Sequence, residues 1–118
     1  MGYVLDTIVR QIVVQGPETI NSDYNSPFFD ISKTEDSFSV VFKYDNGVSV
    51  DMNLYLQVSN DGTNFVDVDN SGANITDSDG LHMFDVGGSG AVFARVRVEV
   101  IGGSIDILSI SFDGKRRH

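Results

Sequence analysis

Residues Leu54 to Val68, read LYLQVSNDGTNFVDV, constrain the fold of this chain more than any other stretch. Two runs that alternate apolar and polar side chains flank Asn60-Asp61-Gly62. A β-strand sends successive side chains to opposite faces, so alternation marks a strand with one face in a core and the other in water. Glycine enters the left-handed backbone region at no steric cost, and Asn or Asp before it tolerates the adjoining geometry. The stretch therefore predicts a β-hairpin with a tight corner at residues 60–62.

The same period recurs along the chain. Phe38, Val40, Phe42 and Tyr44 alternate with Ser37, Ser39, Val41 and Lys43. Met52, Leu54, Leu56 and Val58 alternate with Asp51, Asn53, Tyr55 and Gln57. Val92, Ala94, Val96, Val98 and Val100 alternate with Phe93, Arg95, Arg97 and Glu99. These phases predict a core containing Phe38, Phe42, Leu54, Leu56, Val96, Val98, Ile110 and Phe112. From Ile105 to Asp113 the alternation is broken by adjacent Ile107 and Leu108. That strand is either apolar on both faces in its middle or bulged. Shorter strands are expected at Phe28–Ser32, Phe65–Val68, Ala73–Thr76 and Leu81–Val86. Asp45-Asn46-Gly47, Asn70-Ser71-Gly72, Asp79-Gly80, Gly87 to Gly90 and Gly102-Gly103 carry turn chemistry and are expected to close the other corners.

Short strands at this spacing, with no convincing helix after residue 15, predict an all-β fold. The expected architecture is an antiparallel two-sheet sandwich, jelly-roll-like, of about eight strands. The 118 residues fit a single domain. Its parts read as an N-terminal strand or arm and loop (1–25), a sandwich body (26–114) and a basic C-terminal tail (115–118). In the first part Val4, Leu5, Ile8, Val9, Ile12 and Val13 would line one face of a helix, whereas the abundance of Val and Ile favours a strand ended by Gly16-Pro17. As a strand, it could lie as an arm on a neighbouring subunit.

Charge and composition narrow the function. The net charge of −9 repels phosphate backbones and argues against general nucleic-acid binding. Lys115, Arg116, Arg117 and His118 are a positive cluster on an acidic body, either a solvated terminus or a peg for an acidic partner. With no cysteine, neither a disulfide nor a thiolate site is possible. The first residues lack the basic start of a secretory signal, and no segment approaches a membrane span. Synthesis in the cytoplasm is expected.

Candidate chemical sites are few. Asp67, Asp69, Ser71 and Gly72 begin like a calcium loop, but Ser78 stands where its bidentate Glu would be. Asp77 and Asp79 are the other weak calcium candidates, against a plain reading of all four aspartates as turn residues. Asp23, Asp30, Glu35 and Asp36 are a looser acidic group. His82 and His118 form no recognisable triad, the glycines at 87–90 form no phosphate loop, and no cofactor is implied. The chain is expected not to be an enzyme. Tyr3, Tyr24, Tyr55 and Phe93 are the candidate aromatic platforms, and Trp is absent. Tyr55 and Phe93, with Lys115, Arg116 and Arg117, are the interface candidates.

The run Ser26-Pro27-Phe28-Phe29-Asp30-Ile31-Ser32, then Ser37-Phe38-Ser39-Val40, then VSNDGTNFVDV, then Ala94-Arg95-Val96-Arg97-Val98 resembles a family of small β-sandwich proteins of bacterial viruses. The likeness covers roughly residues 26 to 114. It implies a virion structural or accessory protein, in capsid decoration, tail or spike, made in the host cytoplasm. It also implies self-association, with trimers favoured, and contacts with other virion proteins. Phe65 stands where that family commonly has Trp. The same hairpin is similar to one in discoidin-like carbohydrate-binding sandwiches, which implies glycans as the alternative partner.

Overall fold

A computed structural model describes residues 6–32, 37–69, 71–87 and 91–117. It is all-β, with eight strands and no helix among those residues. In chain order these are β1 (Asp6–Ile20), β2 (Tyr24–Asn25), β3 (Phe29–Asp30) and β4 (Ser37–Ser59), then β5 (Val66–Asp67), β6 (Ala73–Ile75), β7 (Gly80–Gly87) and β8 (Phe93–Arg117). Every pairing is antiparallel.

Two long strands organise the rest. β4 and β8 pair from Phe38↔Gly114 to Ser59↔Phe93. The remaining strands sort onto their two halves. β7 pairs with β4 from Ser37 to Tyr44, and β1 pairs with β8 from Ile105 to Arg117. β5 and β6 pair with β4 between Met52 and Val58, while β2 and β3 pair with β8 between Phe93 and Val98. One half therefore runs β1-β8-β4-β7, and the other places β2 and β3 beside β8 with β5 and β6 beside β4.

The long strands bend between these halves. A straight 23-residue strand would span roughly 75 Å at about 3.3 Å per residue, beyond the molecule's longest dimension of 57 Å. Register shifts cluster at Asp45/Val48, Val48/Asp51 and Asp51/Met52, opposite Gly102 to Asp106. Asn46 (φ 53°), Ser49 (φ 49°) and Gly103 (φ 82°) all take positive φ in this region. Bulges of this kind turn a strand from one sheet layer into the next. The expected corners at residues 45–47 and 102–103 are thus creases within continuous strands. Their turn chemistry is used to kink a ladder that resumes beyond each register shift.

Both inner faces supply the core. All of the expected core residues are buried, joined by Val40, Met52, Ala94, Ile105 and Ile107. The Phe29 ring, carried by the half that contains β3, lies 4.8 Å from that of Phe112 in the other half. Adjacent Ile107 and Leu108 mark a bulge: Tyr44 faces Ile107 and Lys43 faces Ser109, leaving Leu108 unpaired. The extra residue resets the phase, so Ile107 and Ile110 both point inward.

Several local expectations are corrected. The N-terminal segment is a strand within the described residues, but Gly16-Pro17 does not end it. β1 passes that cis peptide with a register shift between Gln15 and Glu18 and runs to Ile20. The strand lies on this chain's own β8 rather than reaching away as an arm. Residues 115–117 are the end of β8, opposite Asp6, Thr7 and Ile8, rather than a free tail. The 60–62 corner is wider than a tight turn, because the loop runs from Ser59 to Phe65. Gly62 takes the expected left-handed conformation (φ 75°), and the Asp61 carboxylate organises the loop. It accepts hydrogen bonds from the amides of Thr63 and Asn64, both at 2.8 Å.

Candidate functional site: an aromatic and arginine face

The outer face of the second half carries a run of cross-strand pairs. Strand alternation turns Asn53, Tyr55 and Gln57 outward from β4, and the register sets Glu99, Arg97 and Arg95 of β8 directly opposite them. Residues so opposed have side chains close enough to interact. The Asn53 amide donates to Glu99 at 3.0 Å. The Arg97 guanidinium lies 4.3 Å from the Tyr55 ring centre. Arg95 Nε donates to Gln57 Oε1 at 2.8 Å. β5 adds a third column: Gln57 donates to Asp67 at 2.9 Å, and Arg97 pairs with the other oxygen of that carboxylate at 3.3 Å.

Aromatic rings continue this face toward the hairpin loop. Arg95 stacks 3.9 Å from the Phe65 ring centre. Phe65 lies 6.1 Å from Phe28, and Phe28 meets Phe93 edge-on at 5.0 Å. Phe28 is 49% exposed, so the cluster presents apolar surface to solvent. Arg95 has no carboxylate partner among the described residues. Burial lowers its pKa, and the like charge of Arg97 lowers it further. A guanidinium so placed has donors left for an incoming carboxylate.

The rings serve the protein before they serve any ligand. Tyr55 is held between Arg97 on β8 and Gly72, where even a methyl group would meet the ring at 2.9 Å. Phe93 rests against Phe28 and Gly62. Both residues thus pack against neighbouring strands and loops of their own chain. Tyr24 instead donates to Glu18 at 3.3 Å, and Tyr3 lies outside the described residues.

The acidic candidates do not converge. Among the described residues no three His, Cys, Asp or Glu side chains are grouped to hold a metal ion. Asp67 is engaged by Gln57 and Arg97. Asp69 lines a shallow groove of about 230 Å³ with Ser71, His82 and Asp85, and Asp77 and Asp79 are not part of its lining. The latter two act electrostatically on Tyr44, whose pKa is raised by burial first and by their charge second. Asp23 accepts the Val100 amide at 2.8 Å, and Asp30 accepts that of Ser32 at 2.8 Å. Glu35, Asp36 and His118 lie outside the described residues.

His82 packs edge-on against Phe84 at 4.6 Å, and burial lowers its pKa. Ser71, in the same groove, is held by the backbone of Leu56 through hydrogen bonds of 3.2 and 3.4 Å. Of the interface candidates, Tyr55 and Phe93 fall on the one face, whereas the backbone of Lys115 to Arg117 belongs to the other half. Sequence reasoning missed Phe28, Phe65, Arg95 and Arg97 as partners of Tyr55 and Phe93. The outward phase of Arg95 and Arg97 was readable, but their register was not, and Phe28 and Phe65 lie just before short strands, where alternation gives no face.

No family model and no curated protein matches the chain. Among solved structures it is similar to the enzymatically active domain of tailspike protein 4 from bacteriophage CBA120, at 17% identity and a TM-score of 0.57. That alignment covers 96% of this chain and 19% of the tailspike chain, so this chain spans about a fifth of it. It is also similar to a structure of infectious bursal disease virus strain Gx (16% identity, TM-score 0.48, covering 97% of this chain and 32% of that one). A mitogen from Yersinia pseudotuberculosis aligns over 100% of this chain and 88% of its own, at 13% identity and a TM-score of 0.44. At 17% identity the likeness to the tailspike domain is one of fold.

Proposed function

We propose that this chain is a structural component of a bacterial virus particle, in capsid decoration, tail or spike, and that it works by protein–protein assembly rather than catalysis. The observation that carries the reading is the likeness to a phage tailspike domain over 96% of the chain, at a TM-score of 0.57. The resemblance of residues 26–114 to small phage β-sandwich proteins points the same way. The exposed Phe28 and Arg95, which has no carboxylate partner among the described residues, give such a component an apolar and cationic contact surface on an otherwise acidic body.

The glycan-binding alternative is less well supported. Sugar recognition by a flat aromatic needs an open ring face, and Tyr55 and Phe65 have guanidinium groups stacked on theirs.

Particles of the virus whose genome carries the gene provide the test. The protein should copurify with them through a density gradient and be labelled on them by antibody. Its absence from purified particles, together with selective binding on a glycan array, overturns the proposal in favour of the carbohydrate reading.

A further inference from the structure

Among the described residues no further strand packs over the outer face of the other half, β1-β8-β4-β7, and its side chains fall into rows across the four strands. The middle row reads Met83, Val41, Ser111 and Ile12, with Met83 51% and Ile12 53% exposed. On one side of it the row is Asp85, Ser39, Asp113 and Arg10. On the other side it is Leu81, Lys43, Ser109 and Gln15. Arg10 pairs with Asp113 at 2.7 Å, which neutralises that end of its row. Exposed Lys43 has no carboxylate within salt-bridge distance among the described residues.

We infer that this face is an isologous interface that takes a second copy of the same chain. The inference deepens the assembly reading by naming a partner. A two-fold axis lying along the middle row lays each apolar row over its own counterpart. The same rotation exchanges the flanking rows. Lys43 of one copy then stands opposite Ser39 of the second copy and next to its Asp85, and the reverse contact forms by symmetry. A two-fold interface must be self-complementary, and an apolar row with an unpaired cation on one side and a carboxylate on the other meets that requirement.

Size and shape fit the same occupant. Four strands about 4.8 Å apart and eight residues at about 3.3 Å make a face of roughly 500 Å², before side-chain relief is counted. That is of the order of the roughly 800 Å² per partner in standard interfaces. Ser39, Ser109 and Ser111 on the two central strands keep the middle of the face low, so two sheets can approach to the usual packing distance of about 10 Å.

Light scattering on the full chain across a concentration series tests the inference. The expected mass is twice 12.9 kDa. Lys43→Glu and Asp85→Lys should each raise the dissociation constant about tenfold or more, and the double exchange should restore it. That restoration separates an interface contact from a folding defect. Met83→Lys, at an exposed position on an edge strand, should dissociate the dimer while leaving the circular dichroism spectrum unchanged. A monomer at every concentration overturns the inference, as does an oligomer of any order indifferent to these substitutions. Either outcome leaves the virion reading to its own test of particle association.

Discussion

Gly103 faces the carbonyl oxygens of Val48 and Ser49 across the crease, so closely that no Cβ fits between the strands. Its φ of +82° is also one that side-chain-bearing residues rarely adopt. The bend that lets β4 and β8 serve both halves therefore depends on a residue without a side chain.

Replacing Gly103 tests that dependence. Gly103→Ala should cost at least about 1–3 kcal/mol from backbone strain, before the steric clash is added. Gly102, one residue away, has open space where an alanine methyl would sit, with Ser49 O the nearest atom at 4.0 Å. Gly102→Ala should stay within about 0.5 kcal/mol of wild type. Urea denaturation midpoints decide, and equal effects at the two positions would mean that the crease does not depend on Gly103.

The strand phase can be tested at neighbouring residues. Leu56 is fully buried, and Leu56→Ala should cost about 2–5 kcal/mol. Tyr55 lies on the outer face under Arg97, so Tyr55→Ala loses a half-buried cation–π contact of about 1 kcal/mol plus some packing. A Tyr55→Ala variant less stable than Leu56→Ala would reverse the assignment of faces.

Acid should weaken the Ser59–Phe65 loop through Asp61. Hydrogen bonds from the Asn64 and Thr63 amides, then from the Asn64 and Ser59 side chains, hold its pKa well below the ordinary 3.8. A carboxylate depressed on folding contributes stability that is present above its unfolded pKa and lost as pH falls through its folded pKa. The stability gap between wild type and Asp61→Ala should therefore be full at pH 7 and shrink on acidification below about pH 4. A gap that does not change down to about pH 2 would contradict the hydrogen-bonded carboxylate.

Chelation should leave the melting temperature unchanged. Asp67 is already engaged by Gln57 and Arg97, and the other candidates do not converge on it. A large drop in EDTA, reversed by calcium, would restore Asp67, Asp69, Asp77 and Asp79 as ligands.

The face with Arg95 and Arg97 shows how far the sequence reached. Tyr55 and Phe93 were legible as outward residues because period-two alternation is local. Which residues would stack on them was not, because Arg95 lies 30 positions from Phe65, and only strand register brings the two together. The Lys43 and Asp85 rows were hidden for the same reason.

Alternation alone determined the β class and the inward phase of residues 38–44, 52–58 and 94–100, and it narrowed Ile107-Leu108 to a bulge or a doubly apolar strand. These are matters of which face a side chain takes, and a pleated strand settles them within a few residues. Tertiary structure decided what the glycine-rich and Asn-rich segments do. Asp45-Asn46-Gly47 and Gly102-Gly103 have the chemistry of chain reversal. Yet both lie in one ladder, with Asp45 opposite Asp106 and Gly102 opposite Asp51, and the pairing on either side of the bulges carries each strand through the bend. A residue that permits positive φ permits a turn or a crease equally. The choice belongs to the strand across from it.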